Sequence, residues 1–87
     1  MSYLQNQQAW LDKTRLKPGD YIIVKRVADS YENGWATVWT YAMNALTNKK
    51  FKIKGIDDEY GISLLDGWGH LYYVPYFVCA PKKLKIG

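Results

Sequence analysis

The sequence predicts a mainly β domain, a small and strongly bent barrel of about five short strands with a short N-terminal helix and a helical turn in a long first loop. Three observations predict it. From Lys49 onward KKFKIKGI alternates cleanly, with Lys50, Lys52 and Lys54 on one face and Phe51 and Ile53 on the other, the pattern of a strand with one solvated side. The turn signatures LKPGD, DDEYG and DGWG bracket short apolar runs. A long polar and aromatic segment separates the first of those runs from the second.

Residues 3–15, YLQNQQAWLDKTR, hold good helix formers, with Leu4, Trp10 and Leu11 as the apolar contacts and no clear cap in front. LKPGD then turns the chain into the strand YIIVKRVA, where Ile22 and Val24 fall on one face and Tyr21, Ile23 and Lys25 on the other. After the polar loop ADSYENG, the residues Trp35, Val38, Trp39, Ala42, Met43 and Leu46 recur at three- and four-residue steps. That spacing gives one buried side, while Gly34 and the β-branched residues oppose a long regular helix, so an irregular loop leading to a helical turn near Met43 to Leu46 is expected. Beyond the lysine-rich strand come ISLL, with Ile62 and Leu64 inward, then LYYV, interrupted by Pro75, and a last short strand FVCA. The barrel is expected over 19–80 within a single domain 1–81, and 82–87 form a basic tail.

At 87 residues the chain is one small domain, and such a domain buries only roughly 60 to 65 per cent of the surface its unfolded form exposes. Eight tyrosines and four tryptophans against two phenylalanines give most of the aromatic area a polar handle, which suits core edges and interfaces. The single cysteine, Cys79, makes no intrachain disulfide, and the start MSYLQNQQAW has no basic head followed by an apolar run. The uncharged stretches 34–48 and 67–81 are too short and too interrupted to span a bilayer, so a soluble cytoplasmic protein without membrane partners is expected. Twelve Lys and Arg against eight Asp and Glu, a net charge of +4, mildly favour acidic partners.

Several stretches carry a resemblance. PGDYIIVKR followed by KKFKIKGIDDEYGISL resembles the KOW-type barrels of translation and transcription proteins, in which a Gly-Asp turn opens the first strand and a lysine-rich strand leads into a second hairpin. GHLYYVPYFVCAP resembles the closing segment of eukaryotic SH3 domains: a glycine, an apolar strand, a proline, a one-turn helix with an aromatic residue, and a final strand. Across Pro18 to Pro81 the order GD, GW, W, MN, KFKI, ID, GI, DG and PYFV is most similar to small phage and prophage proteins that carry no assigned activity. The resemblance implies an SH3-like barrel and a cytoplasmic home in the host cell.

Catalysis finds little support in these residues. His70, in the turn DGWGH, and Cys79, on a buried strand, have no visible partner for nucleophilic chemistry, and no phosphate loop, paired-histidine motif or cysteine cluster occurs. Asp57, Asp58 and Glu59 read as a solvated turn tip, and neither metal nor cofactor is expected. Two binding surfaces remain. Trp35, Trp39, Met43 and Leu46 belong to the core, whereas Tyr31, Glu32 and Tyr41 lie off that stripe. The SH3-like resemblance places their loop beside a ligand surface, with Trp68 and Tyr76 facing it from the other side, which makes a protein partner the first expectation. The second is RNA or DNA, bound along Lys50, Lys52 and Lys54, about 6.6 Å apart on one strand face, with Lys82 and Lys83 of the tail assisting. Lysines on an edge strand also prevent unwanted strand pairing, the purely structural account of the same stripe. The spare aromatic area suits a homodimer as well as a monomer, so a self-associating structural protein is the third reading.

Overall fold

The computed structural model describes residues 2–82, which form a helix α1 (Tyr3–Thr14) and five strands: β1 (Tyr21–Val24), β2 (Lys50–Asp57), β3 (Gly61–Leu65), β4 (Leu71–Val74) and β5 (Cys79–Pro81). All neighbouring strands are antiparallel, in the order β4-β3-β2-β1-β5. The mainly β class, the strand number and the N-terminal helix agree with the periodicities in the sequence. The sheet, however, does not close on itself. After β4 the chain meets Pro75 and a 3₁₀ turn (Tyr76–Val78), which carries β5 across to pair with β1 and leaves β4 and β5 as the two edges.

Helix α1 does have a cap. The Ser2 hydroxyl accepts the Gln5 N–H at 3.2 Å while the Ser2 N–H donates to Gln5 Oε1 at 3.0 Å, so the Ser-x-x-Gln spacing is a capping box. The helix ends at Thr14, one residue earlier than the sequence suggests, with Arg15 in the left-handed region donating its N–H to Leu11 O. Its buried side is also different. Tyr3 and Gln7 are buried and Trp10 and Leu11 pack on the core, whereas Leu4 is exposed, because the i, i+4, i+7 and i+8 positions counted from Tyr3 share a face that Leu4 leaves by about 100°.

The core sits between the inner sheet face and the long loop 25–49. Phe51 and Ile53 from β2 meet Ile62 and Leu64 from β3, Ile22 and Val24 from β1, and Val74 and Val78, all buried. A bulge at Lys54 keeps this face continuous: Ile53 opposes Leu64 and Ile56 opposes Ile62, so the extra residue returns Ile56 to the inner side that strict alternation would deny it. In the loop, Trp35 is fully buried and its Nε1 donates to Tyr60 O at 2.6 Å, fixing the loop to the β2–β3 turn. Met43 and Leu46 are buried in a 3₁₀ turn (Tyr41–Leu46), at the expected place, but Val38 and Ala42 are exposed because the chain between Trp35 and Thr40 does not stay helical. The predicted strand FVCA is shorter than expected, since Phe77 and Val78 belong to the 3₁₀ turn after Pro75 and pairing starts at Cys79.

One glycine is fixed by space. Gly61 has φ +97, and a Cβ there would collide with the Val74 carbonyl oxygen and come within 2.8 Å of the Tyr3 hydroxyl. We expect Gly61→Ala to cost about 3 kcal/mol, from backbone strain plus displacement of β4 or Tyr3. A urea midpoint unchanged from the parent protein would contradict this packing.

Candidate functional site

The five aromatic-surface candidates do not form one patch. Tyr76 is half-buried, its ring 5.4 Å from Tyr3, 5.8 Å from Trp10 and 5.4 Å from Phe77, so it anchors α1 to the sheet end. Glu32 is engaged too. Arg26 grips both of its oxygens, at 3.0 and 3.4 Å, and the Asp29 N–H donates to it, and these partners hold its carboxyl below the usual glutamate range. Tyr31 is exposed, in the left-handed region beside Glu32. Tyr41 is 91% exposed and Trp68 87%, the two most protruding aromatics. Trp68 and Tyr76 flank opposite ends of β4, and the β2–β3 register carries the Trp68 turn past Lys52 toward the start of β2, the end where the Tyr41–Leu46 turn enters.

The Trp68 turn is rigidly built. Asp66 Oδ1 accepts the N–H of Trp68 and of His70, both at 2.8 Å, and Oδ2 lies 3.1 Å from His70 Nδ1. Desolvation acts to raise the Asp66 pKa, but the His70 and Trp68 N–H groups and the His70 ring outweigh it and hold the carboxyl below its usual range. Asp57 does the same for the β2–β3 turn, accepting from Tyr60 at 2.7 Å and Glu59 at 2.9 Å, which lowers its pKa in turn. The three-acid stretch is therefore organised around its own backbone, and among the described residues no group of three His, Cys, Asp or Glu is placed to hold a metal ion. Cys79 is buried with its thiol 3.8 Å from Pro75 O, and burial pushes its pKa up, which keeps it a protonated core residue.

The lysines are brought together. On the outer face of the sheet the strand registers align a row running Lys82, Tyr21, Lys52, Leu65 and Leu71 across all five strands. Lys82 joins it because its N–H donates to Tyr21 O at 3.1 Å, just past the end of β5. Lys50 stands one outward position along β2 with its Nζ 5.0 Å from the Tyr21 ring centre, a cation–π contact. Lys54 flanks the row at the bulge. Every member of the row is exposed, and among the described residues no carboxylate lies within ion-pair distance of Lys50, Lys52, Lys54 or Lys82. Asp20, which precedes Tyr21 and lines the cleft beside Lys50 and Lys82, is paired with Lys17 at 3.3 Å. Two clefts flank the row: one of 420 Å³ lined by Gly19, Lys52, Ile53, Lys54 and Leu65, and one of 510 Å³ between the end of α1, Tyr21, Lys50 and Lys82. Lys83 lies outside the described residues. Tyr21 is the residue that sequence reasoning left out of the site; its outward orientation was legible from alternation, but its place between two lysines follows only from the pairing of β1 with β2 and β5.

No helix among the described residues is long and apolar enough to cross a membrane. Comparison with protein-family models, with curated proteins and with solved structures gives no match.

The depressed Asp66 carboxyl fixes the sign of a pH effect. Because the folded value lies below the unfolded one, the turn's contribution is fully present above the unfolded value of about 3.9 and is lost as pH falls through the folded one. The amide resonances of Trp68 and His70 should titrate together below that value, and an Asp66→Ala variant should lack the transition. Amides that stay fixed until the whole domain unfolds would contradict this arrangement.

Proposed function

We propose that this protein is a small non-enzymatic binding module with an SH3-like chain path, and that its outer sheet face takes a single strand of nucleic acid. The observation that carries the reading is the cross-strand row of Lys82, Tyr21 and Lys52, extended by Lys50 and Lys54, with none of these lysines ion-paired among the described residues. Lys50 and Lys52, about 6.6 Å apart along β2, with Lys54 beyond them at the bulge, match the needs of a phosphate backbone, and the Tyr21 ring offers a base a face on which to stack. Leu65 and Leu71 continue the face with apolar area. The SH3-like chain path draws on the long loop between β1 and β2 and on the Pro75 and 3₁₀ turn before β5, elements that the sequence resemblance also contains.

A second reading, a protein partner, rests on Tyr41 and Trp68, whose rings protrude at the end of the sheet where β2 begins. An exposed tryptophan whose backbone N–H is held by Asp66 has the character of an interface anchor. Glu32 and Tyr76 lend this reading no support, because internal contacts already occupy them.

Fluorescence anisotropy with labelled oligo(dT) and oligo(U) separates the readings. The parent protein should bind with a log–log salt slope of roughly −2 to −3, the value for three to four neutralised phosphates on a single strand. Changing Lys50, Lys52 and Lys54 together to Glu should abolish retention, and Tyr21→Ala should weaken it by about tenfold. Absence of binding at low salt, or binding indifferent to the triple change, overturns the nucleic-acid reading. Loss of a co-purifying protein in a Tyr41→Ala, Trp68→Ala double variant would then favour the second.

A further inference from the structure

The two edges of the sheet are unequal. β5 has three residues, ends in Pro81 and is followed by Lys82, features that discourage pairing with another chain. β4 reads LYYV, with high strand propensity and no proline, charge or bulge. Its hydrogen-bond phase is set by the turn. Asp66 N–H donates to His70 O, a single bond that sets the phase of the antiparallel ladder, in which the bonded pairs are then Leu64 with Tyr72 and Ile62 with Val74. The N–H and C=O groups of Leu71 and Tyr73 therefore point away from β3, where the sheet ends and, among the described residues, no side chain or loop bonds to them.

We propose that this β4 edge is a self-pairing surface, and that its occupant is the β4 of a second copy of this chain. The two outward-pointing residues fit themselves. Antiparallel pairing about a two-fold axis at Tyr72 sets Leu71 opposite the partner's Tyr73 and Tyr73 opposite the partner's Leu71, two bonded pairs that satisfy all four edge groups of each copy. Leu71 and Tyr73 share the outer face, so each meets an apolar or aromatic cross-strand neighbour, while the two Tyr72 rings face each other on the inner side. Charge does not oppose the contact. β4 is uncharged, and β2 with its lysines lies two strands further in, so the lysine rows of the two copies would be separated by five strand spacings, about 24 Å along one continuous sheet face. The contact is a short edge, below the area of a standard stable interface, and so belongs to the weak class.

The test is sedimentation of the full chain, free of nucleic acid, from about 10 μM to 1 mM, the range in which weak association is read. The average mass should rise from 10.1 kDa toward twice that value. Over the same range the Leu71 and Tyr73 amides should gain protection from hydrogen exchange, while the amides of Ile22 and Ile23 stay unchanged. Leu71→Lys, at an exposed side chain, should leave the domain folded by circular dichroism and the mass at 10.1 kDa throughout. A mass constant to 1 mM overturns the proposal. So does a dimer in which those two amides remain unprotected, or one that Leu71→Lys leaves intact.

Discussion

The hydroxyl of Tyr3 is the point on which the rest of the architecture depends. It donates to Gln7 Oε1 at 2.6 Å and accepts the Tyr76 N–H at 3.2 Å, while Gln7 Nε2 donates to Asp57 O at 2.9 Å. One chain of bonds thus joins the helix, the last 3₁₀ turn and the far end of β2. Burying a phenol and an amide without partners costs roughly 1 to 3 kcal/mol each, so this arrangement is stable only when every link is made. Burial also pushes the Tyr3 pKa up, keeping the proton that the bond to Gln7 requires. Gly61 completes the constraint, because only a residue without a Cβ lets Tyr3 and Val74 approach it together. Helix α1 is in this way part of the domain's core, and its Trp10 and Tyr3 rings enclose Tyr76.

From that fixed end the loop 25–49 is held at successive points. Trp35 bonds Tyr60, Ala36 N–H reaches Glu59 O, and Arg26 with Asp29 clamps Glu32. The Arg26 guanidinium also lies 5.2 Å from the Phe77 ring centre, joining the loop to the turn that follows β4. A segment of this length without regular structure is costly to order, and a buried tryptophan together with the Met43–Leu46 turn supplies the apolar burial that offsets it. Two of the four aromatics of this segment, Trp35 and Trp39, are therefore packed on the core. What it leaves at the surface is Tyr31 and Tyr41.

The sequence made the strands legible because their period is local. Alternation alone places Lys50, Lys52 and Lys54 outside and Phe51, Ile53, Ile62 and Leu64 inside, as the structure has them. Features set by tertiary contact were not legible. Leu4 looks like a core residue by type but lies off the face that Tyr3 and Gln7 define, and a buried glutamine has no signature until its partners are known. Tyr76 looks available in a one-turn helix, yet α1 covers it. The same holds for the candidate site: the lysine stripe could be read from one strand, whereas Tyr21 and Lys82 join it through ladders between residues tens of positions apart, and Trp68 parts from Tyr76 because β4 lies between them.

Side-chain position on a strand is set by backbone that hydrogen bonds hold on both sides, and this separates the lysine row from the loop aromatics in how firmly each is positioned. Lys52 sits between β1 and β3, so its Cα cannot move without breaking two ladders. Like charges at about 6.6 Å repel by only about 0.6 kcal/mol in water, so the domain tolerates the row without a direct ion pair to any of its lysines. A structural use of the same lysines would place them on an edge strand, where they block pairing. Instead β2 is the central strand of five, and the exposed edge β4 carries no lysine at all. Charge concentrated at the middle of an open sheet face and absent from its β4 edge leaves that edge without protection against aggregation, and the distribution follows if the face itself meets an anion.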